Sequence, residues 1–109
     1  MELDDTLIAL ADETRRSILK HLASGEARVT EVAAPFAISL NSVSKHIRVL
    51  EKARLITRRK AGRERILAFR PEPLKQVEEW ISTQQSFWKA TLEALDAFLT
   101  STEETEPPR

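Results

Sequence analysis

The sequence predicts a mainly α-helical chain with one small β-hairpin, in the order of four helices, two strands and a long closing helix. Three observations lead there. Apolar residues recur at three- and four-residue spacing over most of the chain, the period of helices with one buried face. Between Leu55 and Phe69 that spacing gives way to a partial alternation of β-branched or apolar residues with charged ones around Gly62, the pattern of two short strands and their turn. Only Ala37, Ile38 and Ser39 separate two of the helices, which leaves room for a tight turn and nothing more.

Leu3 to Ala11 forms the first helix, with Leu3, Leu7, Leu10 and Ala11 at helical spacing. Asp12 caps the second, Glu13 to Ala23, because a carboxylate accepts hydrogen bonds from the unpaired amides of a first turn. Ile18, Leu19 and Leu22 of that helix point inward and Arg15, Arg16 and Lys20 outward, with Gly25 placed to follow its end. His21 has no ligand partner three or four residues on and reads as a surface or packing residue. A shorter third helix, Val29 to Phe36, is capped by Thr30. Ser39 caps the fourth, which starts at Leu40; Val43, Ile47 and Leu50 make its buried stripe, while Asn41, Lys45, Arg48 and Lys52 project from the other side. The strands are Leu55 to Lys60 and Glu64 to Phe69. Helix, tight turn, helix, and a hairpin tipped with Lys60 and Arg63 is the order of a winged helix-turn-helix.

Pro71 and Pro73 open the last helix, from about Pro73 to Leu99, since proline is tolerated in a first turn. Leu74, Val77, Ile81, Trp88, Leu92, Leu95 and Leu99 repeat along it, interrupted at Gln84 and Gln85, and Trp80, Phe87 and Phe98 add a second apolar flank. One small domain cannot cover so much apolar surface. The expectation is therefore a homodimer through the first and last helices, with Leu3, Leu7, Trp80, Phe87, Trp88, Leu92, Leu95 and Leu99 at the interface. Residues 1–100 form one DNA-binding and dimerisation domain, and 101–109, polar and ending in Pro107, Pro108 and Arg109, form a disordered tail.

Composition narrows the function. A chain of 109 residues without cysteine excludes disulfides, thiolate metal sites and thiol redox sensing. No apolar run approaches a membrane span and the acidic start MELDDT lacks a signal-peptide pattern, so a cytoplasmic protein without a membrane partner is expected. The formal charge of zero hides a segregation. Between Thr14 and Arg70, 14 Lys or Arg stand against four Glu, a net of +10, whereas residues 1–13 carry five acids and no base. A basic middle that coincides with the helix-turn-helix and hairpin is the footprint of a polyanion binder. No nucleophile with an activating base and no phosphate loop is visible, and the chain has only two glycines, so an enzyme is not expected.

The reading that fits is double-stranded DNA recognition. The amino-terminal end of the fourth helix enters the major groove, where Asn41 can pair bidentately with adenine, Lys45 can donate to guanine, Leu40 can touch a thymine methyl, and Ser44 adds a base contact. Thr30, Ser42 and Arg48 hold phosphates, with His46 half packed and a secondary backbone contact. Arg59, Lys60, Arg63 and Arg65 on the wing meet the minor groove or its backbone. The alternative is a winged helix that binds an acidic protein partner; the small polar groups crowded at the start of the fourth helix suit it less, because protein interfaces favour large aromatic anchors.

The chain is similar to the ArsR/SmtB family of bacterial winged-helix repressors. The likeness is carried by ALADETRRSILKHL in the second helix, VTEVAAPFAISLNSVSKHIRVLEKARLI in the reading motif with Ser44 and His46 in its S-x-H element, GRERILAFRPEPL in the wing, and EEW with FWKATLEALDAFL in the last helix. It implies a dimeric transcriptional repressor at an inverted-repeat promoter site. The last helix, with Trp80 and Phe87-Trp88, resembles a metal-independent branch. The family's metal-ligand positions fall here on Val29 to Phe36, without a thiol, and on Val77 to Trp88, with Glu78 and Glu79 but no histidine, so no metal and no cofactor is expected. Where the family usually has glycine after the reading helix, this chain has Arg54. The sequence identifies no small-molecule inducer.

Overall fold

The computed structural model describes residues 2–105, with side chains described over 2–101. Its elements are α1 (Glu2–Leu10), α2 (Glu13–Leu22), β1 (Ala27–Arg28), α3 (Val29–Ala33), α4 (Leu40–Lys52), β2 (Ile56–Ala61), β3 (Glu64–Phe69) and α5 (Glu72–Thr105). This is the expected mainly helical winged helix-turn-helix, with one strand more than the sequence suggests. The chain divides into two units, Met1–Val77 and Glu78–Arg109. Among the described residues no helix is long and apolar enough to cross a membrane.

In the first unit, α1 does not bury the leucine stripe that its spacing suggests. Thr6 and Ala9 are its buried residues, Leu3 and Leu10 are half-buried, and Leu7 is 38% exposed. Thr6 can be packed because its hydroxyl donates to the Glu2 carbonyl at 3.0 Å, leaving no unmet donor inside. Asp12 caps α2 as expected, accepting from the Arg15 amide at 3.0 Å. The α3 start differs from expectation. Its N-cap is Arg28, and the Glu31 carboxylate reaches back to the Arg28 amide at 3.1 Å, so Thr30 is not the cap. The helix stops at Ala33, because Pro35 has no amide to carry it on; Phe36 lies outside it.

Ser39 caps α4, accepting from the Ser42 amide at 3.1 Å. The other end is a Schellman closure: the Arg54 amide donates to the Glu51 carbonyl at 2.9 Å and the Leu55 amide to the Leu50 carbonyl at 3.0 Å. That closure needs a left-handed residue, and Arg54 supplies it at φ 62°. The turn drops Leu55 into the core and sends the chain straight into β2. β2 and β3 pair antiparallel from Ile56↔Phe69 to Ala61↔Glu64, leaving Gly62 and Arg63 as a two-residue turn with Gly62 at φ 65°, where glycine is favoured. β1 joins the far side of β3 through Ala27↔Leu67 and Arg28↔Ile66, giving the order β1-β3-β2. The core gathers Ile18 and Leu22 of α2, Val32 of α3, Val43, Ile47 and Leu50 of α4, and Leu55, Ile56 and Leu67 around the hairpin, none more than 2% exposed.

The helix α5 is continuous through Gln84 and Gln85 and passes Leu99. Residues 101–105 are helical rather than the expected disordered tail, since no proline or glycine stands before Pro107 to stop the helix. Residues 106–109 lie outside the described residues. In the second unit, taken alone, Trp80, Ile81, Phe87, Trp88, Leu92, Leu95 and Leu99 are all exposed.

Candidate nucleic-acid interface

Burial of Val43, Ile47 and Leu50 fixes which side of α4 faces out. Leu40 is 53% exposed, Asn41, Lys45 and Arg48 are exposed, and Ser42 and Ser44 are half-buried at the edge of the face. The Ser39 hydroxyl is engaged in capping and stands 3.0 Å from the Ser42 hydroxyl, which anchors the first turn and leaves Asn41 projecting. Between this helix start and the wing lies a cleft of about 290 Å³, lined by Thr30, Leu40 and Ser44 on one side and by Arg58, Arg63 and Arg65 on the other, with Arg28, Val29 and Glu64 also at its edge. The fold thus brings residues expected to touch bases and backbone together with two of the wing cations.

The charge arrangement is sharper than the sequence count. All four glutamates of the basic middle segment are tied to arginines: Glu26 to Arg59 at 2.8 Å, Glu31 and Glu64 to Arg28 at 2.8 and 2.9 Å, and Glu51 to Arg58. Hydrogen bonding from Arg28 holds the Glu31 carboxyl below the usual carboxylate range, and Glu31, then Glu64, hold the Arg28 guanidinium protonated. Lys45 and Arg48 on α4 and Lys60, Arg63 and Arg65 on the wing are exposed and have no ion-pair partner among the described residues. Arg59 is the exception among the expected wing cations, being held by Glu26. The inner end of the wing is tied to α4: Arg58 is half-buried against Glu51, and its Nε is buried without a partner.

Two expectations change. His46, expected half packed, is half-buried, but one of its ring nitrogens is already engaged: Nδ1 lies 3.2 Å from Arg15 Nη1 and 3.7 Å from Asp12 Oδ2. Arg15, expected to face outward, is half-buried, with its guanidinium on the Ile8 and Ala9 carbonyls at 2.8 Å each. The Arg15 amide, foremost, with the charge of the Arg15 guanidinium adding to it, holds the Asp12 carboxyl below the usual range against partial desolvation. The sequence signal for this cluster was only the Asp12 cap and the i+3 arginine.

On α1, Leu7 and Ile8 are 38% and 58% exposed; Ile8 was not singled out from the sequence. On α5, Trp80, Phe87, Trp88, Leu92, Leu95 and Leu99 are each about half exposed or more, and the Phe87 and Trp88 rings meet edge-on with centroids 6.1 Å apart. On an ideal helix Ile81, Trp88, Leu92, Leu95 and Leu99 fall within about 60° of arc, with Trp80 and Phe87 along one flank.

A family of helix-turn-helix domains matches residues 10–59. The chain is 38% identical over 84 residues to the HTH-type transcriptional regulator Rv2034 of Mycobacterium tuberculosis, covering 77% of this chain and 76% of that protein. It is 33% identical over 60 residues to the transcriptional repressor SdpR of Bacillus subtilis, covering 55% and 67% of the two chains. Among solved structures, the crystal structure of an ArsR family transcriptional regulator superposes with a TM-score of 0.78 at 43% identity, over 82% of this chain and 98% of that one.

Proposed function

The chain belongs to the ArsR/SmtB family of winged helix-turn-helix transcriptional regulators, and from that premise we propose that it is a homodimeric repressor that occupies an inverted-repeat promoter site without metal. The carrying observation is the capped start of α4 flanked by five exposed cations, Lys45, Arg48, Lys60, Arg63 and Arg65, while the neighbouring glutamates are consumed by other arginines. In this mechanism α4 enters the major groove. Asn41 reads adenine, Lys45 reads guanine, Leu40 packs on a thymine methyl, and Ser44 contributes from the edge of the face. Thr30, Ser42 and Arg48 meet phosphates, joined by the second ring nitrogen of His46. Lys60, Arg63 and Arg65 of the wing add salt-dependent affinity, and Arg59 joins them only where a phosphate displaces Glu26.

Self-association is supported by the α5 surface. Whole aromatic side chains present about 150–250 Å², so Trp80, Phe87 and Trp88 at 46%, 62% and 58% exposure contribute on the order of 300 Å². Ile81, Leu92, Leu95 and Leu99 add to a patch already near the largest on ordinary monomers, about 300–600 Å². A two-fold pair places its reading helices about 34 Å apart, one duplex turn, and so selects an inverted repeat. The likeness to a transcriptional repressor over 60 residues supports repression by occupancy.

Metal independence rests on donor chemistry. α3 offers no thiol, and Glu78 and Glu79 are exposed neighbours on a helix, about 100° apart, which makes a poor chelate. A protein-protein module for an acidic partner is the weaker reading, since the α4 start presents Asn41 and serines where such an interface would place large aromatic anchors.

The test is selection of duplexes from a random pool, followed by titration. Asn41→Ala should relax preference at one position of each half-site, and Lys60→Ala should weaken all sequences alike and reduce the log-log salt slope by about 0.9 per lost phosphate contact. Two variants with indistinguishable effects would refute this division of roles.

A further inference from the structure

The Arg15 guanidinium sits where three helices meet. Its Nε donates to the Ala9 carbonyl and Nη2 to the Ile8 carbonyl, both at 2.8 Å, so a cation from α2 satisfies two carbonyls at the end of α1. The last turn of α1 carries no base of its own, and Arg16 adds to the same cap by donating to the Leu10 carbonyl at 2.7 Å. The third arm of Arg15, Nη1, lies 3.2 Å from Nδ1 of His46 on the reading helix. Asp12 Oδ2 accepts the Arg15 amide and stands 3.7 Å from the same ring nitrogen.

A guanidinium has donors and no acceptor, so this contact requires Nδ1 of His46 to accept. A neutral ring then carries its hydrogen on Nε2. Nε2 has no protein partner among the described residues. The charged groups that meet the ring are Asp12 and Arg15, both from the start of α2; among the described residues no carboxylate of α1, α3 or β2 stands within ion-pair distance of it.

We propose that Arg15 is a positioning residue for DNA binding, which holds His46 in the Nε2–H form so that the free nitrogen donates to a backbone phosphate, and which ties the reading helix to the end of α1. The phosphate contact rests on the DNA-binding reading above; the tautomer does not. Lysine in place of Arg15 keeps the charge, but its compact ammonium lacks the planar fork that spans the Ile8 and Ala9 carbonyls together with His46.

The experiment has two arms on the full chain. Ring-nitrogen correlation spectra of wild type above the histidine titration range should show His46 with its hydrogen on Nε2, and Arg15→Lys should turn it into a mixture of tautomers. Binding to a duplex selected by wild type from a random pool should weaken about tenfold in Arg15→Lys and in His46→Phe, the scale of one charge-assisted hydrogen bond. The double variant should be no weaker than the weaker single one, because both remove the same contact. Circular dichroism melts establish that the variants are folded before their binding is compared. Hydrogen on Nδ1 of wild-type His46, or losses that multiply in the double variant, would overturn the proposal. A wild type that binds no duplex would sink the DNA reading and the phosphate contact with it, while the spectrum would still decide the Arg15–His46 latch.

Discussion

Leu92 gives the most direct test of self-association, because it lies on the narrow α5 stripe and is 59% exposed. Full burial of a leucine side chain is worth about 1.5–3 kcal/mol, so covering its exposed share contributes about 1–2 kcal/mol. A two-fold interface counts each substitution twice, and Leu92→Ala should therefore weaken the dimer by about 2–4 kcal/mol, roughly 30- to 1000-fold in dissociation constant. Leu92→Glu adds the cost of burying a carboxylate and should go further. Glu93→Gln, beside it on the polar side, should change little. Sedimentation velocity across a dilution series reads the constants directly. The same samples titrated on a selected palindromic duplex should lose cooperative occupancy of the two half-sites least in the Glu93→Gln control, more in Leu92→Ala and most in Leu92→Glu. A wild type that is monomeric at every concentration, or a Leu92→Glu protein with an unchanged dissociation constant, would refute the assignment of this face.

Three further outcomes follow from the first unit. Glu26→Gln releases Arg59, so binding to random duplex should strengthen by less than tenfold and the salt slope should steepen by about 0.9 per protomer, measured by titration across ionic strength. Leu50→Ala, at a fully buried position of α4, should cost about 2–5 kcal/mol in denaturant unfolding through a cavity beneath that helix. The Asp12 carboxyl has a depressed pKa in the fold, chiefly through the Arg15 amide, so its stabilisation is complete above the ordinary aspartate range and is lost as pH falls through the depressed value. Asp12→Asn keeps a capping acceptor without that titration, and its stability curve should show a smaller acid-side drop below about pH 4 than the wild type's, the remainder including Glu31, whose pKa is also depressed.

What was legible in the sequence was local. Val43, Ile47 and Leu50 repeat at helical spacing behind a serine that caps the helix, and the structure keeps that cap, that stripe and the exposure of Asn41 and Lys45. The hairpin was legible because Gly62 marks a turn and its flanks alternate. The misses are of two kinds, contacts made far along the chain and local contests between neighbouring side chains. β1 is two residues whose strand character comes from Ile66 and Leu67, far along the chain, so no periodicity could announce it. Thr30 looked like a cap by residue type, but the Glu31 carboxylate had already claimed the start of α3. Arg15 looked like a surface cation because its spacing puts it beside Arg16; its burial depends on carbonyls of α1 and a ring on α4. The inward face of α1 shifted to Thr6 and Ala9 because a threonine that satisfies its own hydroxyl packs as well as a leucine.

Arg54 joins these two levels, since its backbone is dictated locally and its consequence is the launch of the wing. The Schellman closure on Leu50 and Glu51 requires positive φ at the next residue, and Arg54 holds 62° with its side chain 78% exposed. An L-residue there costs about 1–2 kcal/mol relative to ordinary helical backbone, while the greater freedom of glycine in the unfolded chain returns about 0.5–1 kcal/mol, so Arg54→Gly should stabilise by up to about 1 kcal/mol. The substitution also removes the Arg54–Glu2 ion pair at 3.2 Å, an exposed contact that contributes little. Glu2→Gln alone should therefore leave the denaturation midpoint nearly unchanged, and Arg54→Gly should raise it equally in both backgrounds. Relief of strain at the joint should not alter base preference, because the residues proposed to read bases lie at the other end of α4. A fall in stability with glycine in the Glu2→Gln background would mean that the arginine side chain, and not its backbone, holds the wing in place.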